Sequence, residues 1–479
     1  MYGVIDVGTT GVKLAVFDGE LKSIHYERVE LGYEPAGSGR VEQSSAEMSR
    51  VVRGFARKAR SLGARRIGLS TYRASVVAWS KSGEPLTNIV TWIDGRGREV
   101  VERLPVWVKL LEALSPSLAK VLRPDTPAVL MKWLYDNVPG LREKVERGDA
   151  YLWTLDSYLV YLLTGRYASD ATSSALTGLV HPRDLEPIGA VFGILSLPEA
   201  APEIVDSVHE FGEFEGADVA VSIADQQAAS VYHGLLEPGR VSGVHGTGSF
   251  VEESTPKLVV PGEGLVPVVI ASLDGRRFYG AEGFLRASGL VVEWLRSAGF
   301  FSSYEEMESL ASKAKPRAIV VPSFRGLRTP DAPLLKGMIL GLDPSTTKAD
   351  VVAGLAWGVA LYVAYLLGKL SKYCGSPREP LWSGGGYSRS NAFLQALADA
   401  TGLKVARPRD VESSIRGVLK LLLYSEGKAS LDDLKEPPEV DAYFEPRAGS
   451  EAKTLVGELE ELLEVVARWE ENAFLSGRF

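Results

Sequence analysis

Asp6-Val7-Gly8-Thr9-Thr10-Gly11 is the stretch whose reading decides the fold of this chain. One apolar run (Val4, Ile5, Val7) enters it and another, residues 14–17, leaves it, which predicts a β-hairpin. The hairpin tip has two glycines, two hydroxyls and a carboxylate, and Lys13 follows. Such a tip points backbone N–H groups and hydroxyls at phosphate oxygens while the Asp faces a metal ion. Alone, a Gly-Thr turn serves equally as a plain strand connection. Residues 241–251 repeat the design: strand, Gly246-Thr247-Gly248, strand. Two phosphate-type hairpins in two halves predict one nucleotide held between two related domains.

The 479 residues exceed what one core serves, so two or three domains are expected. With 45% hydrophobic and 24% charged residues, composition is that of an ordinary globular protein. The net charge of −8, with both signs interspersed, argues against a nucleic-acid partner, which calls for a basic face. It leaves anionic ligands open, because phosphate sites are local. Cys374 is the single cysteine, so no intramolecular disulfide is available, and the five histidines lack metal-ligand spacing. Asp6 interrupts the first apolar stretch, so no signal peptide is read there, and a cytoplasmic enzyme is expected. Residues 351–368 carry no charge over 18 positions, which just reaches the length of a membrane span. Gly354, Trp357, Gly358, Tyr362 and Tyr365 interrupt that run and no basic cluster flanks it, so a buried core helix is expected rather than a membrane partner.

Strand and helix patterns alternate over the first 90 residues. Ser44 and Glu47 have capping-box spacing, and Met48, Val51, Val52, Phe55 and Leu62 then recur at helical period. Strands are expected at 67–70, 75–79 and 88–92, helices through 98–165, a strand at 219–223 and a helix at 226–235. The second half restarts with its strand–turn–strand unit. Helices are expected there at 286–297, 303–314, 350–372 and 390–401, with strands at 318–321 and 381–382. The pattern is α/β, repeated twice. A Pro-Gly turn within 235–239 separates the halves, giving an N-terminal domain 1–234 and a C-terminal domain 235–479.

Asp225 ends an apolar strand and precedes a helix. A carboxylate there sits at the mouth of a parallel sheet and suits a general base, with the helix N-terminus stabilising its charge; the alternative, which the residues alone favour, is a simple N-cap. Gly384-Gly385-Gly386 lies between a strand and an amphipathic helix, so bare backbone is open to a flat base or a phosphate, or forms a tight structural turn. Arg73 and Trp92 are candidates for a sugar pocket, Arg donating paired hydrogen bonds and Trp stacking on C–H faces. Their alternatives are a surface ion pair and a core aromatic. His245, beside the second turn, is expected to be structural.

Together these features resemble the FGGY carbohydrate kinases, the family of glycerol, xylulose and gluconate kinases. Asp6-Val7-Gly8-Thr9-Thr10 is similar to the family's first phosphate hairpin, and Lys13 falls where a basic residue reaches the phosphates. Gly39-Arg40-Val41-Glu42-Gln43 resembles its Gly-Trp-Val-Glu segment. Trp133-Leu134-Tyr135-Asp136-Asn137, Asp156-Ser157-Tyr158-Leu159 and Leu163-Thr164-Gly165 resemble its mid-domain helices. Asp225-Gln226-Gln227 resembles its catalytic Asp-Gln-Gln, and Gly246-Thr247-Gly248 its second phosphate hairpin. Phe324-Arg325-Gly326-Leu327 and Gly337-Met338-Ile339-Leu340-Gly341-Leu342 resemble its second-domain signature, and Gly384-Gly385-Gly386 with Asn391 its adenosine motif.

The resemblance implies two actin-like, ribonuclease-H-like domains with a nucleotide cleft between them, taking ATP and Mg2+. It implies phosphoryl transfer to a sugar or polyol, with Asp225 as base and Arg73, Trp92, Asp225 and Gln226 on the substrate. Thr9, Thr10, Lys13, Gly246, Thr247, Gly385, Gly386 and Asn391 would hold the nucleotide, and Asp6 and Asp225 the metal. The departures concern the acceptor. Glycerol kinases place an acidic residue directly after the Arg matching Arg73, where this chain has Ala74, and their pocket tyrosine falls near Asp125. A ketose or sugar alcohol is therefore favoured over glycerol. Xylulose kinases carry a Met-His pair in the region of Tyr72-Arg73, which this chain lacks. Two alternatives stand beside the kinase: a non-catalytic actin-like ATPase and a nucleotide-gated sugar-binding regulator. The terminal helix around 455–469 suits either a homodimer contact or a cap on its own domain.

Overall fold

Two alternating patterns of strand and helix fold into two compact units in the computed structural model, which describes residues 1–34, 39–313, 317–447 and 452–475. The first unit comprises Met1–Tyr232 with Val268–Tyr279 and Ser414–Glu436; the second comprises His233–Pro267, Gly280–Ser413 and Pro437–Phe479. Each is built on a twisted mixed sheet flanked by helices. In the first, the strand order is Val208–Phe214, Ala217–Ala224, Arg66–Thr71, Tyr2–Gly8, Gly11–Phe17 and Ser23–Glu30. In the second, Val440–Phe444, Val405–Pro408, Arg378–Gly384, Arg240–His245, Ser249–Thr255 and Arg276–Leu285 stand in the corresponding places.

Six strands correspond in order between the two sheets, and the second sheet adds Val266–Leu273 beyond Arg276–Leu285. In each, a central strand pairs antiparallel with its hairpin partner and parallel with its other neighbour, a second parallel strand follows, and an antiparallel strand closes that edge. The central strands are buried along nearly their whole length, as parallel strands covered on both faces must be.

The expected single cut between 234 and 235 becomes a discontinuous first unit, for packing reasons. The helix Ser413–Ser425 lies on Gly68, where Val418 and Leu422 fill the space that a Cβ would need, and its Gly417 backs onto the carbonyl of Ala228. Asp206 accepts from Ser272 Oγ at 2.5 Å and from Gly275 N at 2.8 Å, which ties the tip of the hairpin 266–285 into the same unit. Neither contact has a local sequence signal.

The helix Lys348–Cys374 opens with a Thr347/Asp350 capping box, and 89% of its most apolar window is buried. Gly354 and Gly358 let it lie directly on the carbonyls of Ala318 and Val320, and this close seating in a core accounts for its apolar length. The helix Tyr304–Lys313 also forms; position 314 of the expected element lies outside the described residues. Within the expected helical stretch 98–165, the strand Ala150–Thr154 intervenes and pairs antiparallel with Val76–Ser80. Trp79, Tyr151, Tyr161 and Tyr167 cluster across that pair, so tertiary stacking decides the element.

One buried group opposes the fold. Glu253, on Ser249–Thr255, is fully buried, and neither carboxylate oxygen has a hydrogen-bond partner among the described residues. Burial pushes it up to about 8, and burial followed by the nearby Glu253 charge raises the Cys374 thiol to about 12. Because its folded pKa lies above the unfolded value, Glu253 favours folding below about pH 4.5, and that contribution is lost as pH rises through 8. Melting curves of Glu253→Gln against the native chain should therefore diverge between about pH 4.5 and 8, with the variant gaining towards the alkaline end. Parallel curves would place the carboxyl in contact with water.

Candidate active site

Register brings the candidate residues of the first unit to one end of its sheet. Asp6 lies level with Ser70, which lies level with Ile223 on the other side; Val7, Thr71 and Ala224 form the next row. The turn at Gly8–Gly11, the pair Tyr72-Arg73, and Asp225 therefore all follow the carboxyl ends of adjacent strands, where open α/β sheets bind ligands.

The first hairpin is held at several points. Asp6 is buried, accepts from Ser70 Oγ at 2.7 Å and pairs with Lys13 Nζ at 3.3 Å, its direct cross-strand partner. Gln43 Nε2 donates to the Thr9 carbonyl at 2.8 Å, while Tyr72 donates to Gln43 Oε1 at 2.5 Å. Trp92 Nε1 donates to Thr9 Oγ1 at 3.3 Å, and its own backbone N–H is taken by Ser75 Oγ at 3.0 Å. Thr9 and Trp92, assigned to different ligands on sequence grounds, thus touch each other. Thr10 stays exposed at the tip. Burial, followed by the nearby Tyr33 and Asp225, raises the Tyr72 phenol, so it remains a hydrogen-bond donor.

Asp225 is the first residue of the helix Asp225–Tyr232 and is partly exposed. Its Oδ1 accepts the adjacent Gln226 N–H at 2.8 Å, a contact one residue on rather than the two- or three-residue reach of an N-cap. The partial exposure leaves it open to a ligand. Arg73 and Gln226 are likewise half-buried. Ala74 has φ of 56°, a left-handed conformation uncommon for alanine, immediately beside Arg73.

In the second unit, Gly246-Thr247-Gly248 and Gly385-Gly386 follow the carboxyl ends of two adjacent parallel strands, Arg240–His245 and Arg378–Gly384. The turn is closed by Gly246 N donating to Gly248 O at 2.8 Å and supported by Ser288 N on Thr247 O and Gly289 N on Gly246 O. His245 is buried and bonded to Ser249 Oγ at 2.9 Å, and burial holds it down at about 3, so it is neutral and structural.

Among the three glycines, a Cβ on Gly384 would overlap Ser413 Oγ, and one on Gly385 would stand 2.6 Å from the His245 carbonyl, whereas Gly386 faces open space. Gly385 also has φ of 86°. Asn391 opens the helix Asn391–Thr401, and its Oδ1 accepts from Arg407 Nη1 at 2.8 Å. Glu308 already takes Ser390 Oγ at 2.6 Å and the Ala392 N–H at 3.0 Å at this helix start. With a carboxylate seated there, a neutral base suits the segment better than a phosphate. Gly385→Ala should raise KM for ATP about tenfold or more, since both the Cβ contact and the backbone conformation resist it. An unchanged KM in steady-state assays would separate this glycine from the nucleotide.

Gln43, Tyr72, Ser70 and Glu308 were not singled out from the sequence as site residues, although Gln43 closes a quoted segment. Each acts by bonding a residue far away in the chain, which single-sequence patterns do not show. Among the described residues, no group of three or more His, Cys, Asp or Glu side chains could hold a metal ion. Asp6 and Asp225 supply two carboxylates at one sheet end, which suits Mg2+, since that ion is typically bound through one or two carboxylates together with phosphates and water.

Two matching sheets with glycine- and hydroxyl-rich turns at their carboxyl ends define a protein of the actin-like, ribonuclease-H-like class. The chain belongs to the FGGY family of carbohydrate kinases: residues 1–226 match its N-terminal domain and residues 241–426 its C-terminal domain. It is accordingly a phosphotransferase with an alcohol group as acceptor. It is 31% identical over 475 residues to glycerol kinase of Deinococcus radiodurans, covering 94% of each chain. Its fold is similar to that of Plasmodium falciparum glycerol kinase, a structure with ADP, at a TM-score of 0.85 and 21% identity, covering 97% of this chain and 98% of that one. A ligand-bound xylulose kinase from Lactobacillus acidophilus aligns at a TM-score of 0.83 and 17% identity, covering 98% and 99%.

Proposed function

We propose that the chain transfers the γ-phosphoryl group of ATP to a hydroxyl of a ketose or sugar alcohol, with Asp225 as general base. The observation that carries this is the position of Asp225, a partly exposed carboxylate at the same sheet end as the Thr9-Thr10 turn and Arg73. As the acceptor oxygen attacks the γ-phosphorus, its proton passes to Asp225 and the bond to ADP breaks. Phosphoryl transfer of this kind depends on positioning and charge stabilisation rather than covalent help. Thr9, Thr10, Lys13, Gly246 and Thr247 are assigned to the phosphates, and Gly385, Gly386 and Asn391 to the adenosine. Arg73 and Gln226 donate to the acceptor and Trp92 covers its C–H face. Mg2+, held through Asp6 and Asp225, would neutralise charge on the phosphates.

Ala74 supports an acceptor larger than glycerol, because it replaces the acidic side chain of glycerol kinases with a methyl group. Glycerol itself is the second reading, favoured by the relatives that bear that name. An ADP-release screen across glycerol, pentuloses, hexuloses, pentitols and aldonates decides between them. The first reading expects a ketose or pentitol to give the highest kcat/KM. A clear maximum at glycerol would overturn the acceptor assignment, and acceptor-independent ADP release would overturn transfer altogether.

A further inference from the structure

Asp225 follows a strand end that its sheet leaves incomplete. The antiparallel neighbour of Ala217–Ala224 makes its last pairing at Val208 opposite Val221. Beyond that point, Ser222 N finds the Ser207 carbonyl at 3.1 Å, and Ala224 N, one residue before Asp225, has no strand to meet. Thr172 Oγ1 takes that N–H at 2.9 Å. The same hydroxyl donates to Asp170, whose oxygens lie 3.0 and 2.8 Å away. Asp170 is fully buried and is fixed by Thr172 N at 2.9 Å, Ser173 N at 3.0 Å and Ser207 Oγ at 3.1 Å. Asp156 takes the Asp170 N–H at 3.3 Å and Ser169 Oγ at 2.6 Å from behind.

The chain of bonds therefore runs from a buried carboxylate, through one hydroxyl, to the peptide that carries Asp225. An ionised Asp170 can only accept, which turns the Thr172 proton inward and its lone pair outward to Ala224. Burial, followed by the neighbouring Asp156, pushes Asp170 up to about 6, which still leaves it ionised at neutral pH.

We propose that Thr172, oriented by Asp170, is a positioning residue for the transfer step: its hydroxyl replaces the missing strand and sets the direction of the Asp225 carboxylate. The inference rests on Asp225 being the base. An error of about an ångström in placing a reacting group costs up to roughly 10²-fold in rate, so a single hydroxyl at this point has a measurable share.

The test is a double-mutant cycle of Thr172→Val and Asp225→Asn, read as kcat and KM for ATP with the best acceptor from the screen above. Thr172→Val should lower kcat roughly tenfold while KM for ATP stays within about twofold, and Thr172→Ser should recover most of the loss. In the Asp225→Asn background, Thr172→Val should have no further effect. An equal drop in both backgrounds, or native turnover in a folded valine variant, would overturn the positioning role while leaving the base intact. Native turnover in Asp225→Asn alone would instead remove the base and this inference with it. If the valine variant fails to fold, Thr172→Ala, which removes the same hydroxyl without adding a buried methyl, enters the cycle with the same expectations.

Discussion

Asp225→Asn is expected to lower turnover by about 10² or more while leaving KM for ATP within a few-fold, the usual magnitude of general-base help. The amide is the same size as the carboxylate, and its oxygen can still take the Gln226 N–H, so the helix start and its neighbours are preserved. What is lost is the ability to receive a proton from the attacking hydroxyl, together with one of the two carboxylate charges assigned to the metal, of which Asp6 keeps the other. Turnover is read as ADP release at saturating ATP and acceptor. A variant that turns over like the native chain would refute the role. A variant that loses ATP binding as well would mean that residue 225 serves the metal–nucleotide complex more than the proton.

Gly417→Ala should destabilise the protein by roughly 2–3 kcal/mol, a large effect for one methyl group. The added Cβ would overlap the carbonyl of Ala228, a buried residue on the Asp225 helix. Ala228 and its neighbours Gln227 and Ala229 are fully buried, so that helix cannot retreat freely. The helix Ser413–Ser425 must then back away, withdrawing Val418 and Leu422 from Gly68. Melting should fall by several degrees, with activity following it. Gly54→Ala is the control: nothing lies within 4 Å of its Cβ position and it is mid-helix, so the same methyl should be neutral or stabilising. Equal behaviour of the two variants would mean that Gly417 is not a packing contact.

The elements with local signatures were legible. The hairpin at Gly8–Gly11, the Ser44-capped helix Ser45–Ser61, the strand ending at Ala224 and the apolar helix Lys348–Cys374 form within a residue or a few of where periodicity and caps place them. Ala150–Thr154 was not legible, because five residues inside a helix-rich stretch become a strand only by pairing with Val76–Ser80. The site divides in the same way. Asp6, Asp225 and the glycine turns announce themselves by their position between strand and helix. Gln43 braces Thr9 across 34 positions and Glu308 reaches Ser390 across 82, so neither has a neighbourhood in sequence that betrays its role.

What the sequence determined alone was the repeated strand–turn–strand plan and the chemistry at its tips, since alternation, glycine placement and capping act over a few residues. Tertiary structure decided which strands lie level with one another, that the helix Ser413–Ser425 packs on the first unit, and that a threonine and a buried aspartate finish the strand leading to residue 225. Those outcomes depend on which backbone groups would otherwise be left unpaired in the interior, and that is a property of the assembled sheet rather than of any segment.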